Sequence, residues 1–272
     1  MFPRSIKKKL KIYFVYLKTD IQAQFEYRFD FFLYTIAALI SPIIGLAVWL
    51  AASNSGAKLL LDQNQLITYF TLVLFVGMFN QTWHAWYIDE DINTGNFSKF
   101  LLKPFYLADE YFLREVTDKI FKLFFTSVLF IAAVLIFQIR FEGVYFDALT
   151  LILFIISLVL SFGISFYLES IVGITTFWFH NIDFLKDLES IANQVLTGRI
   201  IPLIFFPIAF QNVLYLTPFR YVVSFPIEIM MHKTIGSALL TGFVLQFFWF
   251  FALLFLYKYL YKKGVVKFQA YG

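Results

Sequence analysis

The sequence contains no cysteine among its 272 residues. Disulfide bridges, zinc–thiolate sites and cysteine nucleophiles are therefore excluded. Charge is also scarce, since 15% of the residues are charged, against about 25% in soluble domains. In contrast, 60% of the residues are hydrophobic and 38 are phenylalanine. A soluble fold of this length could not bury so much apolar surface, so the composition predicts a membrane protein.

Motifs for nucleotide binding and hydrolysis are missing as well. The sequence has no GxxxxGK[ST] phosphate loop, no HExxH and no GxSxG. Without them we expect the chain to carry no ATPase activity, no catalytic residue and no cofactor of its own. Nothing in its pattern predicts nucleic-acid binding.

His84 raises the one question of a metal site. It precedes the three acids at 89–91, which could supply further ligands, but their spacing is loose. We therefore predict no metal, and we assign His84 to an aromatic belt with Trp83, Trp86 and Tyr87 at the membrane surface.

The long apolar runs predict an all-α membrane protein with six transmembrane helices in a single transmembrane domain, 1–272. A span needs about 20 apolar residues. The predicted spans are 29–52, 65–88, 120–139, 147–179, 190–206 and 234–257.

The pattern between the fourth and sixth spans is broken. The polar stretch "HNIDFLKDLE", 180–189, is predicted to turn at the cytoplasmic face. The fifth span contains Arg199 and Pro202, which interrupt its apolar pattern. The proline-containing stretch 207–231 is predicted to be a re-entrant outer segment, which membranes tolerate only where protein or water surrounds the backbone.

Lysine and arginine set the orientation, because cytoplasmic segments are enriched in both. They concentrate in 1–28, in the loop 89–119 and in the C-terminal tail, so both termini are predicted to be cytoplasmic. In 1–28, apolar residues repeat at helical spacing and the lysines fall largely elsewhere. This pattern predicts an amphipathic helix that lies on an anionic membrane surface, and a plain basic topology signal is the alternative.

Ionisable residues within spans are costly and usually face protein or a cavity. Glu169 is interpreted either as a paired gate residue or as a carboxylate that reaches the inner surface. Arg199 either lines a cavity or marks a helix end. The candidate gate or path residues are Glu169, Gly198, Arg199, Pro202, Pro207, Pro218 and Arg220.

The loop 89–119 is the longest strongly polar stretch in the middle of the chain. Its second half carries Asp109, Glu110, Arg114 and Glu115. A charged helix face usually meets water, so we interpret this group as a solvated face, with partner docking as the alternative.

Several motifs together resemble the integral membrane permeases of type-2 ATP-binding-cassette exporters. "DIQAQFEYRFDFFL" is similar to the entry helix of the six-span branch with a basic N-terminal arm. "INTGNFSKFLLKPF" is similar to its cytoplasmic motif after the second span. "LTGRIIPLIFFP", "LTPFRYVVSFP" and "YKYLYKKGVVKFQAYG" are similar to its later segments and basic tail. One departure is Asn96, which stands where many members carry a basic residue.

The resemblance implies a permease of the bacterial cytoplasmic (inner) membrane that contacts membrane lipids and moves an unidentified substrate. A wide, mostly apolar path would favour an amphiphilic substrate. The chain would pair with a second permease, identical or paralogous, and with two separate ATPase subunits that bind ATP and Mg. A coupling helix in 89–119 would dock on the ATPase. The predicted coupling residues are Asp89, Glu90, Asp91, Gly95, Asn96, Phe97, Lys99, Phe100, Leu102, Lys103 and Pro104.

Two other classes of protein stay open. A membrane-embedded enzyme acting on lipids would need acids and histidines at one interface, such as Asp89, Asp91, His180 and Asp183, but no catalytic motif supports it. An ATP-independent carrier or channel would be expected to show an inverted repeat, and the sequence shows no clear one.

Overall fold

In the computed structural model, residues 6–26, 28–102, 107–137 and 141–268 are described, and every regular element in them is helical. The helices are α1 (Ile6–Glu26), α2 (Arg28–Asn54), α3 (Gln63–Asn80), α4 (His84–Asn93), α5 (Ser98–Leu102), α6 (Leu107–Phe137), α7 (Ala148–Ile174), α8 (Asp183–Leu196), α9 (Ile208–Leu216), α10 (Ser224–Met230) and α11 (Gly236–Lys267).

Helix α7 lies at the centre and packs against α11, α4, α10 and α3. The core around it contains Ile164, Phe225 and Phe70, each at most 1% exposed. On the outside, apolar side chains remain uncovered, for example Val159 at 58% and Phe255 at 62%. Apolar surface of this kind along long helices suits a lipid environment.

Four helical stretches in the described part of the chain are long and apolar enough to cross a membrane. They are Thr35–Asn54, Gln63–Asn93, Ala148–Phe177 and Gly236–Lys267. They coincide with the predicted first, second, fourth and sixth spans. The last helix continues ten residues past the predicted end at 257, so the start of the basic tail is also helical.

Two boundaries near the loop 89–119 differ from the prediction. The helix expected over 65–88 is interrupted between α3 and α4, at residues 81–83. The third span was expected at 120–139, but α6 begins at Leu107 and is continuous to Phe137. No glycine or proline interrupts those 31 residues, so their charged first half continues the helix.

Two predictions for the next region are wrong, namely the turn at 180–189 and the helix over 190–206. A single helix, α8, begins at Asp183 and ends at Leu196. Gly198 follows with a φ of +91°, a conformation that favours glycine, and Pro202 cannot continue a helix. The sequence therefore ends α8 well before residue 206.

The segment predicted to be re-entrant, 207–231, consists of two short helices joined by a tight turn. Helix α9 starts directly after Pro207, and the turn Phe219–Tyr221 starts directly after Pro218. The guanidinium of Arg220 binds the Glu228 carboxylate with an Nη2–Oε2 distance of 2.5 Å. This ion pair joins the turn to α10.

Helix α1 packs along the first half of α6. Tyr13 donates a hydrogen bond to Asp109 at 3.1 Å, and Gln24 donates one to Asp118. Glu115 is 4% exposed. The expectation of a solvated charged face on α6 is therefore wrong for much of that face, because α1 and the core cover it.

Candidate functional site

A tight turn connects α4 to α5. Gly95 adopts a φ of +77°, which lets the chain reverse without strain on a side chain. The Phe97 amide donates to the Asp91 carbonyl at 2.7 Å, and the Ser98 hydroxyl donates to the Gly95 carbonyl at 2.8 Å. These bonds fix the position of the short helix α5.

The two sides of this turn differ in burial. Phe97 is fully buried and Phe100 is 5% exposed. The ring of Phe97 contacts those of Phe268 and Phe177, with centroid distances of 4.8 and 5.0 Å. The turn is therefore anchored to the end of α11 and to the turn that follows α7.

The other side of α5 faces outward. Leu101 is 51% exposed and Leu102 is 88% exposed, and Glu90 and Asn96 are exposed as well. Leu101 and Leu102 together form an exposed apolar patch at the end of an anchored helix, and contiguous apolar patches occur at interaction sites. Two further coupling candidates, Lys103 and Pro104, lie outside the described residues.

Asp91 joins α4 to the elements that follow it. Its carboxylate accepts a hydrogen bond from Tyr111 of α6 at 2.6 Å and pairs with Lys99 of α5 at 3.0 Å. Asp91, which belongs to α4, thus connects α4 to both α5 and α6.

Asp89 makes a separate set of contacts. It pairs with Lys186 of α8 at 2.7 Å and accepts a hydrogen bond from Thr176 at 2.8 Å. Lys186, whose side chain is 3% exposed, also pairs with Asp183 at 2.8 Å. Burial alone would lower the pKa of Lys186, but its hydrogen bonds to Asp183 and Asp89 raise that pKa above its ordinary value, so the ammonium group stays charged.

A buried polar cluster surrounds the break between α3 and α4. Glu115 accepts from the Trp83 amide at 3.1 Å and contacts the Nδ1 atom of His84 at 3.2 Å. Lys119 binds Glu115 and the Gln81 carbonyl, each at 3.0 Å. Side chains of α6 therefore satisfy backbone groups that the interrupted helix leaves unpaired.

His84 is 1% exposed, so its assignment to an aromatic belt is wrong, although Trp83, Trp86 and Tyr87 are exposed. Its Nε2 atom lies 2.8 Å from the Ser170 hydroxyl oxygen. Ser–His–acid contacts also occur in hydrolases, but Ser170 is 1% exposed here and a substrate could not reach it. The sequence reasoning missed this cluster, and the i,i+4 pair Glu115–Lys119 was its only local signal.

The remaining enzyme candidates do not form a single site. Asp89 and Asp183 both bind Lys186, whereas Asp91 binds Lys99 and Tyr111. Among the described residues, no group of three or more His, Cys, Asp or Glu side chains is placed to hold a metal.

A cavity of about 300 Å³ lies between α2, α3, α4 and α8. Its apolar wall comes mainly from α2 and α3, and includes Pro42, Val73 and Met78. Its polar wall comes mainly from α8, and includes Glu189 and Asn193. The cavity is thus amphiphilic, and its volume is at the lower end of ligand pockets.

Helix α8 has its polar face on this cavity and its apolar face outward. Phe184, Leu188 and Ile191 follow the helical repeat and are 75%, 51% and 61% exposed. In a soluble protein the apolar stripe would face the core. The reversed arrangement suits a helix with lipid on one side and a polar cavity on the other.

Glu169 and Arg199 both line this cavity. Glu169 accepts a hydrogen bond from the Ala85 amide at 3.3 Å, and its carboxyl group lies near that of Glu189, which lines the same cavity. Arg199 donates to the Gly77 carbonyl at 3.3 Å. The other candidate path residues do not line it, and Pro202 instead lines a second cavity of about 110 Å³ near Glu228.

A family model described as "ABC-2 family transporter protein" matches residues 62–272. The chain belongs to this family. The ABC-2 match contains the α4–α5 turn, the polar cluster, α8 and α11, and most of the cavity wall. The chain is therefore the transmembrane component of an ABC transporter, a type of permease that works with an ATP-binding subunit. No curated protein matches the chain.

Proposed function

We propose that this chain is the permease subunit of an ATP-driven exporter in the bacterial cytoplasmic membrane, with both termini in the cytoplasm. It would work as a homodimer or a paralogous heterodimer with two separate ATPase subunits, which bind ATP and Mg. The observation that carries the proposal is the α4–α5 turn. It combines a buried aromatic anchor, Phe97, with an outward leucine, Leu102.

The turn suits a docking role because it is rigid on one side and uncovered on the other. The anchor on α11 and the Asp91 contacts would transmit a push from the ATPase into the helices rather than let α5 yield. The 88% exposure of Leu102 leaves an apolar side chain for a groove on the partner. Buried apolar anchors of this kind dominate the binding energy of many interfaces.

Leu102→Asp tests this docking. An aspartate would place a charge in the apolar groove, so we expect the ATPase to co-purify with the permease at least about tenfold less, a loss typical of a buried hot-spot residue. The measurement is the ATPase-to-permease ratio after affinity purification of the co-expressed subunits.

Leu60→Asp is the matched control. Leu60 is 66% exposed and lies in the loop between α2 and α3, which is on the outer side in the proposed topology. Leu60→Asp should leave the ATPase-to-permease ratio unchanged. Equal ratios for Leu102→Asp and the unmutated chain would contradict docking through α5.

The cavity between α2 and α8 is the proposed substrate path in each permease. Its apolar and polar walls suit an amphiphilic molecule, and its carboxyl pair lies where α7 meets α8. In this proposal Glu169 and Arg199 face the path, whereas Arg220, Pro207 and Pro218 belong to the outer segment that closes it.

Glu169→Gln tests the path. A glutamine keeps the size of the side chain but cannot ionise, and it alters the contact with Glu189, so we expect transport to fall by about three- to tenfold, with membrane insertion unchanged. Glu142→Gln, at an exposed position on the α6–α7 connection, is the control. Unaltered transport in Glu169→Gln would remove Glu169 from the path.

A further inference from the structure

Helix α4 carries two acids that are two positions apart and point to opposite sides. Residues at i and i+2 of a helix do not share a face. Asp91 contacts α5 and α6 through Lys99 and Tyr111. Asp89 contacts α8 through Lys186 and the turn after α7 through Thr176. One helix thus connects the docking turn on one side with α8 on the other.

The Asp89 contact is nearly enclosed. One carboxylate oxygen accepts hydrogen bonds from Thr176 and from Asn93, at 2.8 and 2.9 Å, and the other binds Lys186. Asn93 also donates to the His180 carbonyl at 3.1 Å. The end of α4 is therefore tied to the chain just before α8 as well as to α8 itself.

Lys186 belongs to the cavity as well as to this contact. Its ammonium group lies 3.8 Å from the centre of the Trp86 ring, and both side chains line the cavity. One and two turns further along α8, Glu189 and Asn193 line the same cavity. A displacement of α4 that α8 follows would therefore change the width and lining of the cavity.

We propose that α4 is a two-sided connector and that the Asp89–Lys186 pair makes α8 move with it, so that the docking turn controls the cavity. This inference rests on the proposed function. It also gives a more specific role to Asp89, which is one of the predicted coupling residues. In this account Asp89 is a positioning residue inside the permease, and the docking surface is formed by α5.

A buried ion pair is a weak source of stability, because desolvation of the two charges offsets much of their attraction. The pair does strongly favour one relative position of α4 and α8, because both charged groups lose their partners if the two helices separate. Such a contact suits two elements that must move together.

The first test measures transport and ATP hydrolysis in proteoliposomes that contain the complete complex. Asp89→Asn and Lys186→Met should lower the number of substrate molecules transported per ATP by about tenfold, a typical upper range for a coupling residue, with ATPase co-purification unchanged. Asp89→Glu should restore part of the ratio. Asp187→Asn, an exposed acid beside Lys186, is the control and should match the unmutated complex.

An unchanged transport ratio in both Asp89→Asn and Lys186→Met would overturn the connector and leave the proposed function standing. Absence of ATP-driven transport in the unmutated complex would overturn the proposed function, and the connector with it. Loss of ATPase binding in Asp89→Asn would also overturn the connector, because Asp89 would then belong to the docking surface.

The second test uses the absence of cysteine, which allows site-specific spin labels without removing native residues. One pair, Tyr87→Cys with Phe184→Cys, reports the distance between α4 and α8. A second pair, Ile40→Cys with Phe184→Cys, reports the distance between α2 and α8 across the cavity. The three positions are 48%, 75% and 52% exposed.

The connector predicts that nucleotide binding by the ATPase changes the α2–α8 distance but leaves the α4–α8 distance unchanged. In Asp89→Asn the α4–α8 distribution should broaden. An α4–α8 distance that changes with nucleotide in the otherwise unmutated chain would overturn the proposal.

Discussion

Glu115→Ala is expected to destabilise the protein by about 3–5 kcal/mol, the cost of removing one partner of a buried ion pair. Its carboxylate binds Lys119, His84 and the Trp83 amide, and it is 4% exposed. An alanine would leave the buried Lys119 ammonium group without its counter-charge and the Trp83 N–H without its acceptor. The thermal unfolding temperature of the purified permease in detergent measures the effect.

Glu90→Ala is the matched control, because Glu90 is exposed on α4 and its removal should change the unfolding temperature little. The unfolding temperature of Glu115→Gln should lie between those of Glu115→Ala and Glu90→Ala, since a glutamine still accepts hydrogen bonds. Similar unfolding temperatures for Glu115→Ala and Glu90→Ala would show that the α3–α4 break does not depend on this cluster.

Gly198→Ala is expected to be nearly as damaging for a different reason. Gly198 has a φ of +91°, which costs a residue with a side chain about 1–3 kcal/mol. In addition, the new methyl group would overlap the Ser224 hydroxyl and lie 2.6 Å from the Tyr69 hydroxyl oxygen. The loop between α8 and the outer segment would have to shift, so both stability and transport should fall.

Gly56→Ala separates these two costs. Gly56 has nearly the same φ, +88°, but open space where the methyl group would lie. Gly56→Ala should lose only the stability that the positive φ costs. The unfolding temperature of Gly198→Ala should therefore be clearly lower than that of Gly56→Ala. Equal effects of the two substitutions would show that the close approach at Gly198 is not required.

The helices that the sequence predicts well are those with uniform apolar character. In α2, α7 and α11 a long run without charges is sufficient, because lipid and neighbouring helices both accept apolar residues. Helix α8 is different, since Lys186 and Glu189 on one face alternate with Phe184 and Leu188 on the other. An average of hydropathy along the sequence mixes the two faces. The sequence therefore predicts a turn over 180–189 and a span over 190–206 where the structure has one helix.

The break between α3 and α4 was not predictable from its own residues. The stretch around Trp83 and Ala85 contains no glycine or proline. What makes the break possible is a set of side chains far away in the sequence, Glu115, Lys119 and Ser165, which bind its free backbone groups. Such contacts between distant segments leave no pattern in the residues of the break itself.

The candidate site was predictable in part. The predicted coupling residues include Gly95, Phe97, Phe100 and Leu102, but the sequence does not distinguish the buried phenylalanines from the exposed leucine. The roles of Asp89 and Asp91 could not be separated from sequence. Their opposite directions matter only once α8 and α6 are known to lie on either side of α4.

The central claim is that an ATPase drives this permease through the α4–α5 turn. The most direct measurement is substrate accumulation in inverted membrane vesicles that contain the permease and its ATPase, with and without ATP. We expect accumulation that requires both ATP and the ATPase and that is lost in Leu102→Asp. Accumulation by the permease alone, without the ATPase, would contradict it.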